Sequence, residues 1–326
     1  MNTLLPTVWF LILCFEIALY VMLDGGDLGI GILSLFPQSS ERRSLMMYTI
    51  GPIWDANETW LVIAGGTLFG AFPLAYSSVL NALYIPVMMI LFGLILRAVS
   101  LEFAEYTHMY RPLWEKIFGL SSLLAVVGQG CAVGGLLGGI AITNDQFAGG
   151  ALSWVSPLTF FVTIGILCSY VVVGYAYLIK KADYVLQGES FIRILVAAIA
   201  TFASLSVAAL LLPQMQYIFF TRWLTPPTNT FLAVIGFCIA LVSFFLVRDT
   251  YKKQNQKHLY TMCMCIFALS LIGIIIGVYP YLIPPTVTIQ DAAASPATLR
   301  FMLWGIGPLL PIVLAYNWYL YKVFSK

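Results

Sequence analysis

Apolar residues run almost unbroken through this chain, and the interruptions define its elements. Nine runs reach the roughly 20 residues that cross the hydrocarbon core of a bilayer, at about 5–35, 49–72, 75–100, 116–141, 155–179, 190–212, 229–247, 259–279 and 299–321. The polar segments between them are short, and none could form a soluble domain. The pattern predicts an all-α polytopic membrane protein, with nine transmembrane helices in a single transmembrane domain covering 1–326. Helices 1–4 occupy about 5–141, and helices 5–9 occupy about 155–321. The first run lacks a basic leader and carries Glu16, Asp24 and Asp27, so it reads as a mature helix rather than a cleaved signal peptide.

Composition agrees. The chain is 61% hydrophobic and 9% charged, with a mean hydropathy of +0.93. Soluble proteins carry about a quarter charged residues, so the solvent of this chain is lipid. Six cysteines fall inside apolar runs without a ligand spacing, and they read as small buried residues rather than disulfides.

The basic residues orient the helices. Of 16 Lys and Arg, 14 flank alternate loops or helix ends: Arg42, Arg43, Arg97, Arg111, Lys116, Lys180, Lys181, Arg193, Arg248, Lys252, Lys253, Lys257, Lys322 and Lys326. Arg222 and Arg300 lie opposite. The positive-inside rule then places the N-terminus outside and the C-terminus in the cytoplasm, a parity that nine spans satisfy.

The acids are distributed unevenly. Of 14, nine belong to loops or interfaces, and the others are Glu16, Asp24, Asp27, Asp55 and Glu58, all in the first two spans. An acid at the centre of a membrane helix costs about 2.5–3.5 kcal/mol on insertion scales, so this concentration argues for a site. At 100° per residue, Glu16 and Asp27 are about 20° apart on one face and about 16 Å apart along the axis. Asp55 is expected about two turns into span two, with Glu58 one turn deeper on nearly the same side. Arg97 lies near the end of span three. The expected site is a polar pocket in the cytoplasmic half of three consecutive spans, extended outward by Glu16. One arginine cannot neutralise five carboxylates, so several are expected to hold protons and relay them. A hydrogen-bonded structural knot is the bland alternative.

Gly25, Gly26, Gly29 and Gly31 in span one permit close helix contact or a local break. Gly130, Gly134 and Gly138 in span four, and Gly66 and Gly70 in span two, repeat a small-residue spacing. Trp54, beside Asp55, reads as a belt residue or as the wall of a ring-shaped ligand such as a quinone. The two histidines, His108 and His258, lie in or beside cytoplasmic loops, so no bis-histidine haem site is expected, and no nucleotide loop or metal motif is present. A proton- or cation-coupled secondary transporter is the rival function. The second half, however, carries no matching charged turn.

Three motifs in order complete the reading: DGGDLGIGIL in span one, an Arg-Arg pair in the first loop, and TIGPIWDANETWLVIAGGTLFGAFPLAY around span two, with Arg97 after LFGLIL. Together they resemble subunit II of the cytochrome bd quinol oxidases, densely over residues 20–100. Gly26 stands where the family has an aromatic residue, Ala56 stands where it has glycine, and Glu16 is outside its pattern. The compact loops look like the cyanide-insensitive branch.

The resemblance implies two four-helix bundles plus one peripheral helix. It also implies a bacterial cytoplasmic membrane and a heterodimer with a haem-bearing subunit I of similar fold. Subunit I would carry two b-type haems and one d-type haem and reduce oxygen to water with quinol electrons, and this chain would ligate none. The chain would stabilise subunit I and lend it a cytoplasmic proton path through Asp55, with Asp24 and Asp27 as polar neighbours. A structural quinone near Trp54 and Arg97 and a small single-helix accessory subunit are further implications. A pure assembly scaffold remains the alternative.

Overall fold

A computed structural model describes residues 4–36, 39–107, 109–144, 146–181, 190–251 and 258–324, with backbone alone for 190–194, 250 and 251. His108, Lys252, Lys253, Lys257 and Lys326 lie outside the described residues, as does the Arg193 side chain.

The chain begins with one unbroken helix, α1 (Leu4–Leu33). After a turn, Ser39 caps α2 (Ser40–Ile50), its hydroxyl accepting the Arg42 N–H at 3.3 Å. Gly51 and Pro52 separate this short helix from α3 (Trp54–Ala71). Pro73 then stands at the first position of α4 (Pro73–Ala82), where its missing N–H is harmless. The residue before a proline is driven out of helical geometry, and Phe72 accordingly takes φ −135°, ψ 63°. The chain bends 119° there. It continues as α5 (Tyr84–Tyr106) and α6 (Arg111–Gly138), which ends at Gly139 with φ +95°.

A small hairpin, β1 (Ile142–Thr143) with β2 (Gln146–Phe147), leads to α7 (Pro157–Lys181), α8 (Ser190–Met215), the short α9 (Tyr217–Leu224), α10 (Thr228–Tyr251) and α11 (Leu259–Val278). A second hairpin, β3 (Tyr281–Ile283) with β4 (Val287–Thr288), precedes the one-turn α12 (Ile289–Ala292) and the final α13 (Pro296–Phe324).

The structure is helical and membrane-like, and it revises the boundaries of the expected spans. Among the described residues, eight helices are long and apolar enough to cross a bilayer, and the count reaches nine when the bent pair α3 and α4 is taken as one span. Expected span two, 49–72, begins late because Gly51-Pro52 interrupts it. Expected span three, 75–100, is displaced to α5, because Pro73 diverts 73–82 into a separate helix. The 119° bend and α9 were not expected.

Side-chain contacts place two clusters at opposite ends. One contains Trp9, Phe10, Phe72, Ala75, Leu83, Ile283, Ile289 and Leu299, and the two hairpins lie against it. Its fully buried Trp9 donates through Nε1 to the Leu299 carbonyl at 3.0 Å. The other contains Ile30, Met47, Ile50, Ile53, Phe118, Tyr177 and Leu178. Most described basic residues gather at this second end. Arg43 donates to the Ser34 carbonyl at 3.1 Å. Glu115 at the start of α6 accepts from Ser40 and Ser44 of α2, at 3.0 and 3.2 Å. Lys181 at the end of α7 donates to the Phe324 carbonyl at the end of α13.

Lipid tails are as apolar as leucine, so helices associate in membranes through close packing and hydrogen bonds. The glycines of α1 perform this role, and the helix does not break at them. A Cβ on Gly29 would lie 1.9 Å from the Tyr170 carbonyl oxygen, and one on Gly174 would lie 2.6 Å from the Ile30 nitrogen. The backbones of α1 and α7 therefore touch. Gly130 and Gly134 do the same for α6 against Thr163 and Thr159 of α7. The rest of the expected rows differ: Gly138 has only a 3.9 Å neighbour, Gly70 meets the Met302 side chain, and Gly66 faces open space.

This contact makes a prediction. Gly29→Ala should lower the melting temperature of the assembled protein, because overpacking a tight site costs about 1–3 kcal/mol. Gly236→Ala, with nothing within 4 Å of its added carbon, should not lower it.

Candidate functional site

The middle of α1 carries three acids, all enclosed: Glu16 and Asp24 are 0% exposed and Asp27 is 2% exposed. Each has a partner on another helix. The fully buried Arg97 of α5 donates from Nη2 to Asp24 Oδ1 at 2.6 Å, and the same nitrogen reaches Glu58 Oε1 of α3. One guanidinium thus ties three helices together. Asp27 Oδ2 accepts from the Asn57 amide at 2.8 Å, and Asn57 Oδ1 accepts from the Tyr321 hydroxyl of α13 at 3.0 Å. Glu16 Oε1 accepts from the Thr67 hydroxyl at 3.0 Å.

A third chain approaches from α6 and α7. The Tyr170 hydroxyl donates to Gln129 Oε1 at 2.8 Å, and Gln129 Nε2 donates to the Tyr20 hydroxyl oxygen at 2.6 Å. Tyr20 lies one turn before Asp24 on α1, so this chain ends beside the acids. Three tyrosines, an amide pair and a threonine therefore complete what the acids begin.

The expected pocket of Asp24, Asp27, Glu58 and Arg97 is assembled, and Glu16 extends it along the same face of α1. The position of Asp55 needs correction. The interruption at Gly51-Pro52 starts α3 at Trp54, so Asp55 lies in the first turn, exposed, and not two turns deep. Glu58 is one turn further in, with its side chain 19% exposed. The acids therefore run from an exposed residue, through a partly open one, to Asp24 and Asp27 in the interior. One guanidinium facing this many carboxyls leaves several oxygens able to take a proton.

Sequence reasoning missed Tyr20, Asn57, Thr67, Gln129, Tyr170 and Tyr321. Gln129 carried a signal, as an amide inside an apolar span. Asn57 and Thr67 sit on the α3 side that faces α1. Tyr321 is 264 residues from its partner, and no local pattern could have paired them.

Trp54 and Arg97 do not share an exposed wall. Trp54 is half-buried against the basic-end cluster, while Arg97 has no exposed surface. Among the described residues no three His, Cys, Asp or Glu side chains gather as a metal site. His258 is exposed at the start of α11.

Removing one partner of an enclosed ion pair leaves an uncompensated charge, at about 3–5 kcal/mol. Arg97→Leu should therefore greatly reduce the yield and melting temperature of the purified protein. The double change Arg97→Leu with Asp24→Leu should recover part of both, because it also removes the more deeply enclosed of the two stranded carboxylates.

The family model described as "Cytochrome bd terminal oxidase subunit II" matches residues 5–324. The chain is 26% identical to "Cytochrome bd ubiquinol oxidase subunit 2" of Bacillus subtilis (strain 168), over 99% of this chain and 96% of that protein. It is 23% identical to "Cytochrome bd-I ubiquinol oxidase subunit 2" of Escherichia coli (strain K12), over 98% and 94%. Its fold matches a chain of the solved bd oxidase from Geobacillus thermodenitrificans with a TM-score of 0.77 at 19% identity, covering 98% of both chains. A family match over nearly the whole length, on a multi-pass helical fold, leads to one conclusion: the chain belongs to the cytochrome bd terminal oxidase subunit II family.

Proposed function

We propose that this chain is the haem-free subunit II of a quinol-oxidising bd complex, and that its buried acids conduct protons from the cytoplasm toward a haem-bearing subunit I. The family assignment displaces the transporter alternative. The redox chemistry, reduction of oxygen to water with quinol electrons, belongs to the partner and its two b-type haems and one d-type haem. This chain contributes scaffold and protons.

The observation that carries the reading is the graded burial of Asp55, Glu58 and Asp24. Asp55 is exposed, Glu58 is partly open, and Asp24 is 0% exposed, with Arg97 bridging the last two. A proton taken up at Asp55 has an acceptor one turn away at Glu58. From there the shared guanidinium holds Glu58 and Asp24 side by side. Asp27, on Asn57, is a further holding site.

The bare face of α3 is the docking face proposed for subunit I. Asp55, Val62, Gly65, Gly66 and Phe69 form an exposed stripe at helical spacing, and the two glycines have nothing within 4 Å. Small residues on an open helix face allow another helix to approach closely. Subunit I docked there would cover the mouth of the acidic series. The arrangement of two four-helix bundles with one peripheral helix belongs to the same proposal, as does a small accessory helix.

The basic end lies in the cytoplasm of a bacterial inner membrane, by the positive-inside rule. A fluorescent protein fused after Lys326 should then fluoresce, while alkaline phosphatase fused there should stay inactive.

The proton reading is tested in the intact complex. Asp55→Asn should slow oxygen consumption at unchanged haem content, and Glu58→Gln should do the same. Wild-type turnover in both variants would reduce the chain to an assembly scaffold. Loss of haem together with turnover would favour the scaffold role as well.

A further inference from the structure

Several enclosed polar atoms lack a hydrogen-bond partner among the described residues, and three residues that carry such atoms follow one seam. They are Glu16 through Oε2, Trp60 through Nε1, and Asn317 through both amide atoms. Their exposures are 0%, 0% and 5%. Enclosed polar groups almost always have a partner, in the protein or in ordered water.

Cross-helix contacts fix the register of the seam. On α1 and α3, Asn57 meets Asp27 at 2.8 Å and Thr67 meets Glu16 at 3.0 Å. Trp60 lies between those two levels, its ring edge-on to Phe15 at 6.2 Å. α13 runs antiparallel beside α3. Tyr321 donates to Asn57 at 3.0 Å, and the Met302 side chain would meet a Cβ on Gly70 at 2.6 Å. Asn317 is four residues before Tyr321, hence one turn away on the same face. It therefore stands opposite the α3 turn that follows Asn57, the turn that carries Trp60.

We propose that the seam between α1, α3 and α13 is hydrated. In it, Asn317 and Trp60 hold ordered water that joins the Asp27–Asn57 pair to Glu16, and Glu16 is the proton-exchanging terminus of this branch. The inference rests on the reading of the acids as proton-handling groups, and it adds a helix, α13, that the sequence did not connect with the site.

The chemistry of the seam suits water. A buried water makes two to four hydrogen bonds. Here an amide N–H, an amide carbonyl, an indole N–H and a carboxyl oxygen line one path. A carboxylate held only for structure spends its oxygens on protein donors. Glu115 does so: Oε1 receives Ser40 and Ser44, Oε2 receives Ser40, and Arg111 lies at 3.6 Å. Glu16 differs: among the described residues it has one hydroxyl on one oxygen and no cation, since the hydrogen bonds of Arg97 go to Asp24 and Glu58. Asn317 differs from Asn57 in the same way: Asn57 has both amide groups engaged by protein, and Asn317 has neither.

The experiment uses the intact complex and reduced-minus-oxidised infrared difference spectra in H2O and D2O, with haem content as the control for assembly. Glu16→Gln should delete one carboxylic C=O band. Asn317→Leu should keep that band but slow its shift in D2O. If Glu16→Gln fails to assemble, Glu16→Asp should displace the band. Spectra and exchange unchanged in the Glu16 and Asn317 variants, with a band lost in Asp24→Asn, would overturn the seam and leave the main cluster standing. No band lost in Asp24→Asn, Asp27→Asn, Glu58→Gln or Glu16→Gln would overturn both.

Discussion

The guanidinium of Arg97 is the constraint on which the rest of this structure depends. It is fully enclosed, and it is shared by Asp24 of α1 and Glu58 of α3. Charges in a medium of low polarity persist only when paired. The position of α5 relative to α1 and α3 is therefore set by charge as much as by shape. The arrangement is also asymmetric. Arg97 engages two carboxyls, while Asp27 and Glu16 rely on an amide and a hydroxyl. Those weaker donors hold an acid in place without fixing its charge.

Such a pairing needs backbones close together, and the glycines supply this. Where α1 meets α7, the backbone atoms nearest Gly29 and Gly174 leave no room for a side chain. That contact holds the acid-bearing stretch of α1 against Tyr170, whose hydroxyl begins the chain through Gln129 to Tyr20. The acids and glycines of the DGGDLGIG stretch thus serve one arrangement. The acids face α3 and α5, and the glycines admit α6 and α7.

Much of this was legible in the sequence because it is local. The helical class, the concentration of Glu16, Asp24, Asp27 and Glu58, and the place of Arg97 beside Asp24 and Glu58 follow from runs, spacing and the scarcity of charge. The failures have physical causes. The start of α3 was misplaced because apolar character continues through Ile50 and Ile53, while the backbone is broken by Gly51-Pro52 between them. The 119° bend at Pro73 was hidden in the same way, within a stretch apolar enough for a span. The contributions of Tyr321 and Asn317 arise only when α13 returns to α3, and no periodicity encodes that return. The Gly66 and Gly70 spacing signals close helix approach without naming the partner, and Gly66 faces outward, because a sequence does not say whether a helix face meets its own chain or another.

The interruption at Gly51-Pro52 has an electrostatic consequence. It makes Trp54 the start of a new helix, so the first-turn N–H groups of α3 lack carbonyl partners four residues earlier. The aligned peptide dipoles leave about half a positive charge at such an end. Asp55 occupies that first turn, and Glu58 follows one turn on. A continuous helix from 49 would have placed neutral peptide units there. The break therefore installs a fractional cation from backbone alone, at the outer end of the acidic series. Arg97 serves the inner end, and between them negative charge is tolerated along the acidic series without a second arginine.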